Sequence, residues 1–410
     1  MENTFQEVQT LQVQATANVV VLGGGPSGVV AALAAARHGA KVILIEKNSI
    51  LGGLATAGHV CLFEPLCDGH GRQVTSGMVE EMFFRSIAYS YNTLPPRWAK
   101  GKVKQPNEID TKEYMGGQGR FATLFNIPAF ALSMEECLRQ AGVEIWYDTL
   151  FCNPVMEGAV CQGVIVENAS GRSVVACNQL IDATGACLAF FRAGADCATY
   201  KNRFTFECLD TDFRKMQAAI DSGNMQKAIF WRILGWNPVV SDPSQAHEFE
   251  GLTAQDINEY LYLSHQVALD YLKEQDSTYA MLSLPTMAQI RMIRRIKGLY
   301  EMCPEDMFQT MEDSVGCVSD WRKVGPVYEV PYRSLFVKEF SNMAAVGRNL
   351  SAQDDTWDIM RCYPGAMTTG QAAGTAAAMA AKQGIGLRDL PVAELQKVLQ
   401  EDGVILHIPQ

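Results

Sequence analysis

The chain has 410 residues, 48% of them hydrophobic and 19% charged, and a formal net charge of −11. That composition excludes a disordered chain and leaves room for more than one folding unit. The acidic balance argues against a nucleic-acid backbone as partner.

The first residues, MENTFQEVQTLQVQ, carry acids and lack the apolar run of a secretion signal, so the expectation is a cytoplasmic protein. Val19, Val20, Val21 and Leu22 then form a continuous apolar run, as a parallel strand buried on both faces does. Gly23, Gly25 and Gly28 follow at once in the spacing G-x-G-x-x-G, with Pro26 and Ser27 inside it. In a dinucleotide fold the first glycine permits the tight turn. The second lets the backbone approach a pyrophosphate, and the third lets the helix pack on the strand. Residues 29–37 supply that helix, whose free N–H groups aim at the phosphates, and Gly39 stops it. Residues 42–45 predict a second strand. Glu46, followed by Lys47, ends it 18 residues past Gly28, where an acid accepts the ribose hydroxyls of an adenosine.

Residues 51–58, LGGLATAG, make a second loop of small residues that includes Gly53, Leu54, Ala55 and Thr56, and His59 follows directly. Bare backbone there allows close approach to a cofactor. Within residues 67–129, the segment 94–120 holds Arg97, Lys100, Lys102 and Lys104 among prolines and glycines. It reads as a lid for an anionic substrate or as a solvated surface loop. Residues 133–141 predict a helix and 143–147 a strand. Residues 159–167 and 173–176 pair as a hairpin across 168–172. Residues 179–182 predict a further strand, ending in Ala183, Thr184 and Gly185, whose small side chains leave room for a dinucleotide.

Residues 188–340 are mostly helical by pattern, clearest over 253–273. Phe230, Trp231, Trp236 and Tyr260 are pocket or core aromatics. Arg291, Arg294 and Arg295 stand at helical spacing, and Arg333 sits in a strand-like PYRSL. They hold a carboxylate or pair with Glu301, Asp320 or Glu329. Residues 344–347 are another strand ending in glycine, at Gly347, with Arg348 next. A helix opens near Pro364, Gly365 and Ala366 and carries Thr369. The longest small-apolar stretch, 372–381, is too short to span a bilayer. The twelve cysteines contain no C-x-x-C, and Cys61 and Cys67 have five residues between them, so they read as small buried hydrophobes. No clustered Cys/His signature implies a metal.

These motifs together resemble the FAD-dependent oxidoreductases, in particular the bacterial group whose FAD domain is of the glutathione-reductase type. The resemblance rests on GGGPSG at 23–28, GGLATAG at 52–58, the stretch 142–185, IRMIRRIKGLY at 290–300, VPYRSL at 330–335, VGRNLSA at 346–352 and the segment 361–378 with TGQAAGTAAA. It implies FAD, flavin redox chemistry and an α/β fold. That fold is a discontinuous Rossmann-like FAD-binding domain with a β-meander, over 18–66, 130–187 and 341–386. An inserted α+β substrate domain or cap covers 67–129 and 188–340, and 387–410 form a C-terminal tail helix. The expected cofactor contacts are Gly23, Gly25, Pro26, Ser27, Gly28, Glu46, Lys47, Gly53, Leu54, Ala55, Thr56, Ala183, Thr184, Gly185, Gly347, Arg348, Gly365, Ala366 and Thr369.

For chemistry, His59 is placed to face the flavin and to titrate near neutrality as the acid–base partner of hydride transfer, with Arg361 and Tyr363 orienting the substrate. The helix opening near Pro364 would aim its dipole at the flavin edge that gains charge on reduction. The chain departs from the family at Ser319-Asp320-Trp321-Arg322, where a histidine is expected near the aspartate and none stands. No second G-x-G-x-x-G follows a strand, so no nicotinamide domain is expected. The expectation is hydride transfer between a small-molecule substrate and FAD, with an unnamed electron acceptor or donor, no metal, and a surface compatible with a homo-oligomer. The other readings are an electron-relay subunit of a larger complex, and an alkene or ketone reductase fed by an external donor.

Overall fold

The computed structural model describes residues 5, 7–89, 123–235 and 247–409. The basic segment at 94–120 and Trp236 lie outside them. Strand β1 (Val13–Leu22), helix α1 (Pro26–Arg37) and strand β2 (Val42–Ile45) form the first unit. A short β3 (Leu62–Phe63), helix α2 (Met78–Ile87) and short β4 (Thr123–Leu124) follow. Helix α3 (Ile127–Gln140) leads into β5 (Glu144–Trp146), β6 (Leu150–Glu157), β7 (Val160–Asn168) and β8 (Gly171–Asp182). Helix α3 starts six residues before position 133 because the Asn126 side chain caps it, accepting from the Ala129 N–H at 3.0 Å.

The central sheet runs β5-β2-β1-β8-β7-β6. Strands β5, β2, β1 and β8 are parallel, as a dinucleotide fold requires, and β8-β7-β6 form an antiparallel meander. Residues 173–176 and 179–182 belong to one strand, not two. Cys177 and Asn178 continue it, because β1 pairs along its whole length from Val174 to Asp182. The opposite edge of β8 is shared. Strand β7 pairs with residues 171–176, and β18 (Met343–Ala345) pairs in parallel with residues 180–182. Asn342 sits at this fork. Its amide accepts from Cys161 N–H at 2.8 Å and donates to the Cys161 and Asn178 carbonyls at 2.8 and 2.7 Å. One sheet thus draws strands from three separated stretches of chain.

Residues 188–340 are not mostly helical. Helices α4 (Leu188–Arg192), α5 (Phe213–Ser222) and α6 (Ala254–Lys273) alternate with short strands. These are β9 (Cys197–Thr199), β10 (Asn202–Arg203), β11 (Thr205–Asp212), β12 (Phe230–Gly235), β13 (Glu248–Phe249), β14 (Tyr279–Ser283), β15 (Arg294–Ile296), β16 (Ser314–Ser319) and β17 (Val327–Pro331). Strands β12-β11-β14 make a three-stranded antiparallel sheet backed by α6. Thr253 caps α6 by accepting from Asp256 N–H at 3.1 Å. Arg294 and Arg295 lie on β15, not on a helix. The chain closes with α7 (Asp354–Met360), α8 (Tyr363–Gln383) and α9 (Val392–Glu401), the last matching the expected tail helix.

Alternation along β1 divides the core. Val19 and Val21 pack toward α1 and α8, whereas Val20 and Leu22 face Phe190, Phe340 and Met343. All twelve cysteines are free and nine are buried; Cys152, Cys197 and Cys303 are half-buried. Among the described residues no helix is long and apolar enough to cross a membrane.

Helices α1 and α8 meet at backbone distance. A Cβ on Gly370 would lie 2.3 Å from the Ser27 carbonyl oxygen, and one on Gly374 would lie 2.2 Å from that of Ala31. Inside a helix, Gly→Ala normally gains about 1 kcal/mol. Here Gly374→Ala is expected instead to lose about 1–3 kcal/mol through overpacking. Its unfolding midpoint should fall below that of the native chain; an equal or higher midpoint would show that the helices do not approach this closely.

Candidate active site

Helix α1 begins without a side-chain cap. Gly25 is its N-cap, in extended conformation, and Pro26 occupies the first turn. Gly23, at φ +95°, turns the chain sharply, and a Cβ there would meet the Ala183 carbonyl oxygen at 2.6 Å. A Cβ on Gly28 would lie 1.9 Å from the Gly23 carbonyl oxygen, so that glycine serves packing. In front of Gly25 the space is open, with nothing within 4 Å of a Cβ. The fingerprint therefore builds a tight turn around one vacant approach.

Glu46 is buried, and burial raises its carboxyl above the usual range. One oxygen accepts from Gly24 N–H at 2.6 Å and the other from Asn48 N–H at 2.8 Å. Gly52 N–H donates to the Gly24 carbonyl at 2.7 Å, so the second small-residue loop docks directly on the first. At the end of β8, Asp182 organises the facing wall. It accepts from Thr184 N–H at 3.0 Å, Thr184 Oγ1 at 2.7 Å, Ala189 N–H at 2.7 Å and Asn349 Nδ2 at 2.9 Å.

A cleft runs between these walls. Gly23, Gly25, Pro26, Ser27, Glu46, Lys47, Gly53, Leu54, Ala183, Thr184, Gly185, Arg348 and Ala366 line it, together with Asn48, Met287, Arg361 and Tyr363. Thirteen of these are residues that the sequence reading expects at the cofactor, and the structure brings them to one cleft. Gly28, Ala55, Thr56, Gly347, Gly365 and Thr369 stand behind the lining. The Thr56 hydroxyl donates to the Leu51 carbonyl, and Thr369 Oγ1 accepts from Gly347 N–H at 2.9 Å. A Cβ on Gly365 would lie 2.6 Å from the Met360 carbonyl oxygen. These residues hold the walls in place.

Among the described residues of the cleft, Arg348 is a guanidinium without a partner acid. Its guanidinium lies on Gly185, where a Cβ would come within 2.0 Å of Nη2. It donates only to the carbonyls of Ile290 at 2.8 Å and Arg291 at 3.1 Å, and no carboxylate among the described residues pairs with it. Burial, then the neighbouring Arg291 and Arg361, lower its pKa to about 10. Arg348 is half-buried, and a cation with no partner acid in so screened a place is costly, a cost that an anion entering the cleft would offset. The vacant approach at Gly25, the uncapped helix start and this cation together fit a diphosphate. Glu46 fits the ribose at the far end.

Arg361 is fastened by Asp358, with Nε to Oδ1 at 2.8 Å. Tyr363 donates its hydroxyl to the Val60 carbonyl and packs edge-on against Phe63, 5.7 Å between ring centres. Its N–H donates to the buried Glu64 carboxyl at 3.1 Å. The start of α8 is therefore partly occupied by a protein acid, and its first N–H does not face the cleft. Arg291 pairs with Glu207 at 2.5 Å, Arg295 with Glu301 as expected, and Arg333 with Asp313. Arg294 stacks on the Phe191 ring, 4.3 Å from its centre.

His59 does not bear out the reason for choosing it. It is buried, holds φ +55°, and burial lowers its pKa to about 4, so it is neutral at pH 7. It is absent from the cleft lining, and its Nδ1 has no hydrogen-bond partner among the described residues. The sequence gives its position beside the loop but not its burial. Sequence reasoning also missed Glu207, Met287, Gln289 and Asp182. Each sits in an ordinary alternating or apolar stretch, and only long-range pairing reveals it.

The His59 shift has a consequence for stability. Below pH 6.5 the unfolded chain takes a proton on His59 that the fold refuses until about pH 4. Its contribution therefore falls as pH drops through that window. His59→Asn, which tolerates positive φ, should lose less stability between pH 7 and pH 4.5 than the native chain in denaturant unfolding. Equal losses would place the imidazole in contact with water.

The family model described as FAD dependent oxidoreductase matches residues 18–262 and 198–399. Dihydrolipoyl dehydrogenase of Chlorobaculum parvum is 29% identical over 170 residues, 41% of this chain and 30% of that one. Mitochondrial dihydrolipoyl dehydrogenase of Caenorhabditis elegans is 57% identical over 37 residues, 9% of this chain and 8% of its own. The chain spans less than a third of the length of these curated relatives. Among solved structures, a geranylgeranyl bacteriochlorophyll reductase-like protein of Thermoplasma acidophilum aligns over 94% of this chain and 84% of its own, at 12% identity and a TM-score of 0.43.

Proposed function

The chain belongs to the FAD-dependent oxidoreductase family, and on that premise we propose that it passes a hydride between a small organic substrate and FAD. In this reading Arg348 and the start of α1 hold the diphosphate, and Glu46 holds the adenosine ribose. Residues 18–66, 130–187 and 341–386 form the FAD-binding unit, with 67–129 and 188–340 building the substrate side. The carrying observation is the half-buried Arg348 guanidinium, without a partner acid among the described residues, which lines the same cleft as the open approach at Gly25.

Bound FAD supplies a two-electron acceptor whose ring exchanges hydride. The chain's own groups bind and orient. Arg361 and Tyr363 line the end of the cleft nearest the insertion, where Arg361 also reaches a second, polar pocket with Arg291, Tyr260 and Gln289. That shared arginine supports a substrate bound beside the cofactor. His59 stays in the reading as a neutral hydrogen-bonding ring, with no proton to give at pH 7.

Arg348→Met separates the roles. Losing charge-assisted contacts to a diphosphate should weaken FAD roughly tenfold to a hundredfold. The cofactor-free protein should become slightly more stable, because a half-buried charge without a partner acid has gone. Weaker FAD binding without that gain would show that Arg348 has a carboxylate partner.

The redox reading is tested by anaerobic absorbance of the FAD-loaded chain against a panel of small alcohols, amines and acids. Bleaching by at least one is the expected result. Reduction only by a protein partner would favour an electron-relay subunit instead.

A further inference from the structure

Strand β11 roofs the substrate side. Alternation puts Thr205, Glu207 and Leu209 on one face. Thr205 lines the polar pocket that holds Arg291 and Arg361, whereas Leu209 lines an apolar recess with Trp231, Cys61 and Phe125. Glu207 stands between these two residues along the strand, behind both linings, and is 5% exposed. Gln289 fixes its main chain on both sides, accepting from Glu207 N–H at 2.8 Å and donating to the Glu207 carbonyl at 2.9 Å. The same Gln289 amide donates to the Gly58 carbonyl at 2.5 Å, which ties the roof to the small-residue loop of the cofactor cleft.

The carboxyl of Glu207 is half used. Oε1 accepts from Arg291 Nη2 at 2.5 Å, and Oε2 is buried with no hydrogen-bond partner. Trp231 Nε1, on the neighbouring strand, approaches this carboxyl as a donor without closing a full hydrogen bond, and is itself buried. The charge of Glu207 is felt at Cys61 and at Tyr363, which lines the cofactor cleft. A buried acceptor and a buried donor that approach each other without a full bond, beside an apolar recess, are poised to take a hydroxyl that serves both. The recess measures about 180 Å³, and an engineered apolar cavity of roughly 150 Å³ takes up benzene. Arg291 and Arg361 flank the carboxyl, which disfavours an ammonium and favours a neutral hydroxyl.

We propose that the substrate is an alcohol bearing an apolar group about the size of a six-membered ring, with its hydroxyl on Glu207 Oε2 and its apolar group in the recess of Leu209, Trp231 and Cys61. This rests on the reading of the chain as a hydride-transferring oxidoreductase. The balance closes without another reactant. The carbon bearing the hydroxyl gives its hydrogen and two electrons to oxidised FAD, the hydroxyl proton passes to Glu207 Oε2, and the C–O single bond becomes C=O.

The test uses 1-methylcyclohexanol, which has no hydrogen on its hydroxyl carbon and so binds without reacting. Binding to the FAD-loaded chain is read by tryptophan fluorescence between pH 5 and pH 8. The groups around Glu207 are Arg291 and Arg361, charged throughout, and Cys61, Tyr260 and Tyr363, all pushed upward and neutral in this range. Burial raises the Glu207 carboxyl as well, so native affinity should fall as the pH drops and Oε2 is protonated. Glu207→Gln should bind roughly tenfold to a hundredfold more weakly at pH 8 and show no pH dependence. Leu209→Trp, which fills the recess, should abolish binding while FAD occupancy stays full. Equal binding by Glu207→Gln at every pH, or no binding by the native chain with FAD in place, overturns the proposal. A native chain that takes up no FAD strikes the underlying oxidoreductase reading instead.

Discussion

Everything in the site depends on two helices touching through their backbones. Helix α8 offers Gly370 and Gly374 to the carbonyls of Ser27 and Ala31 on α1, at distances no side chain would allow. That contact brings the end of the chain against its beginning. The Gly23–Gly28 turn is then faced by Gly347, Arg348 and Ala366, although more than three hundred positions separate them in sequence. The insertion has no choice but to close over the gap between them. Its sheet, β12-β11-β14, becomes the roof, and its loop at Met287–Arg291 becomes a side wall.

Three of the buried acids are held in the same way. Glu46, Glu64 and Asp182 are all buried acids, and each is met by main-chain N–H groups rather than by a cation alone. Such donors are fixed by the fold, so these acids act as clamps on turns. Arg348 differs in that carbonyls alone receive it.

The local half of this design was readable in the sequence. Glycine spacing, a doubly buried strand and an acid at the next strand's end are short-range signals, and they point to residues that the structure gathers along one cleft. The same logic failed where the partner lies far away. Strand β8 was read as two pieces because Cys177 and Asn178 interrupt the apolar pattern, yet β1 pairs straight through them. The Arg294–Arg295 pair looked helical by spacing, but pairing with β9 pulls it into a strand. Glu207 sits in an unremarked alternating stretch, and its partner Arg291 is 84 positions away. His59 was placed beside the right loop with the wrong charge, since its pKa is set by burial that no local pattern records.

The fork at Asn342 gives the sheet a mechanical property. Strand β8 begins at the hairpin turn near Gly171 and ends beside Thr184 in the cofactor cleft, twelve residues or roughly 40 Å of continuous chain. Beyond its midpoint the neighbour on one edge changes from β7 to β18, and a strand losing its neighbour is where a sheet would ordinarily flex. Asn342 bridges that gap with three hydrogen bonds to both sides. The strand therefore behaves as a stiff rod, not a hinged one. The one irregularity in its pairing with β1 lies near the hairpin end, opposite Val174 and Val175, so from there to Asp182 the strand is held without a break.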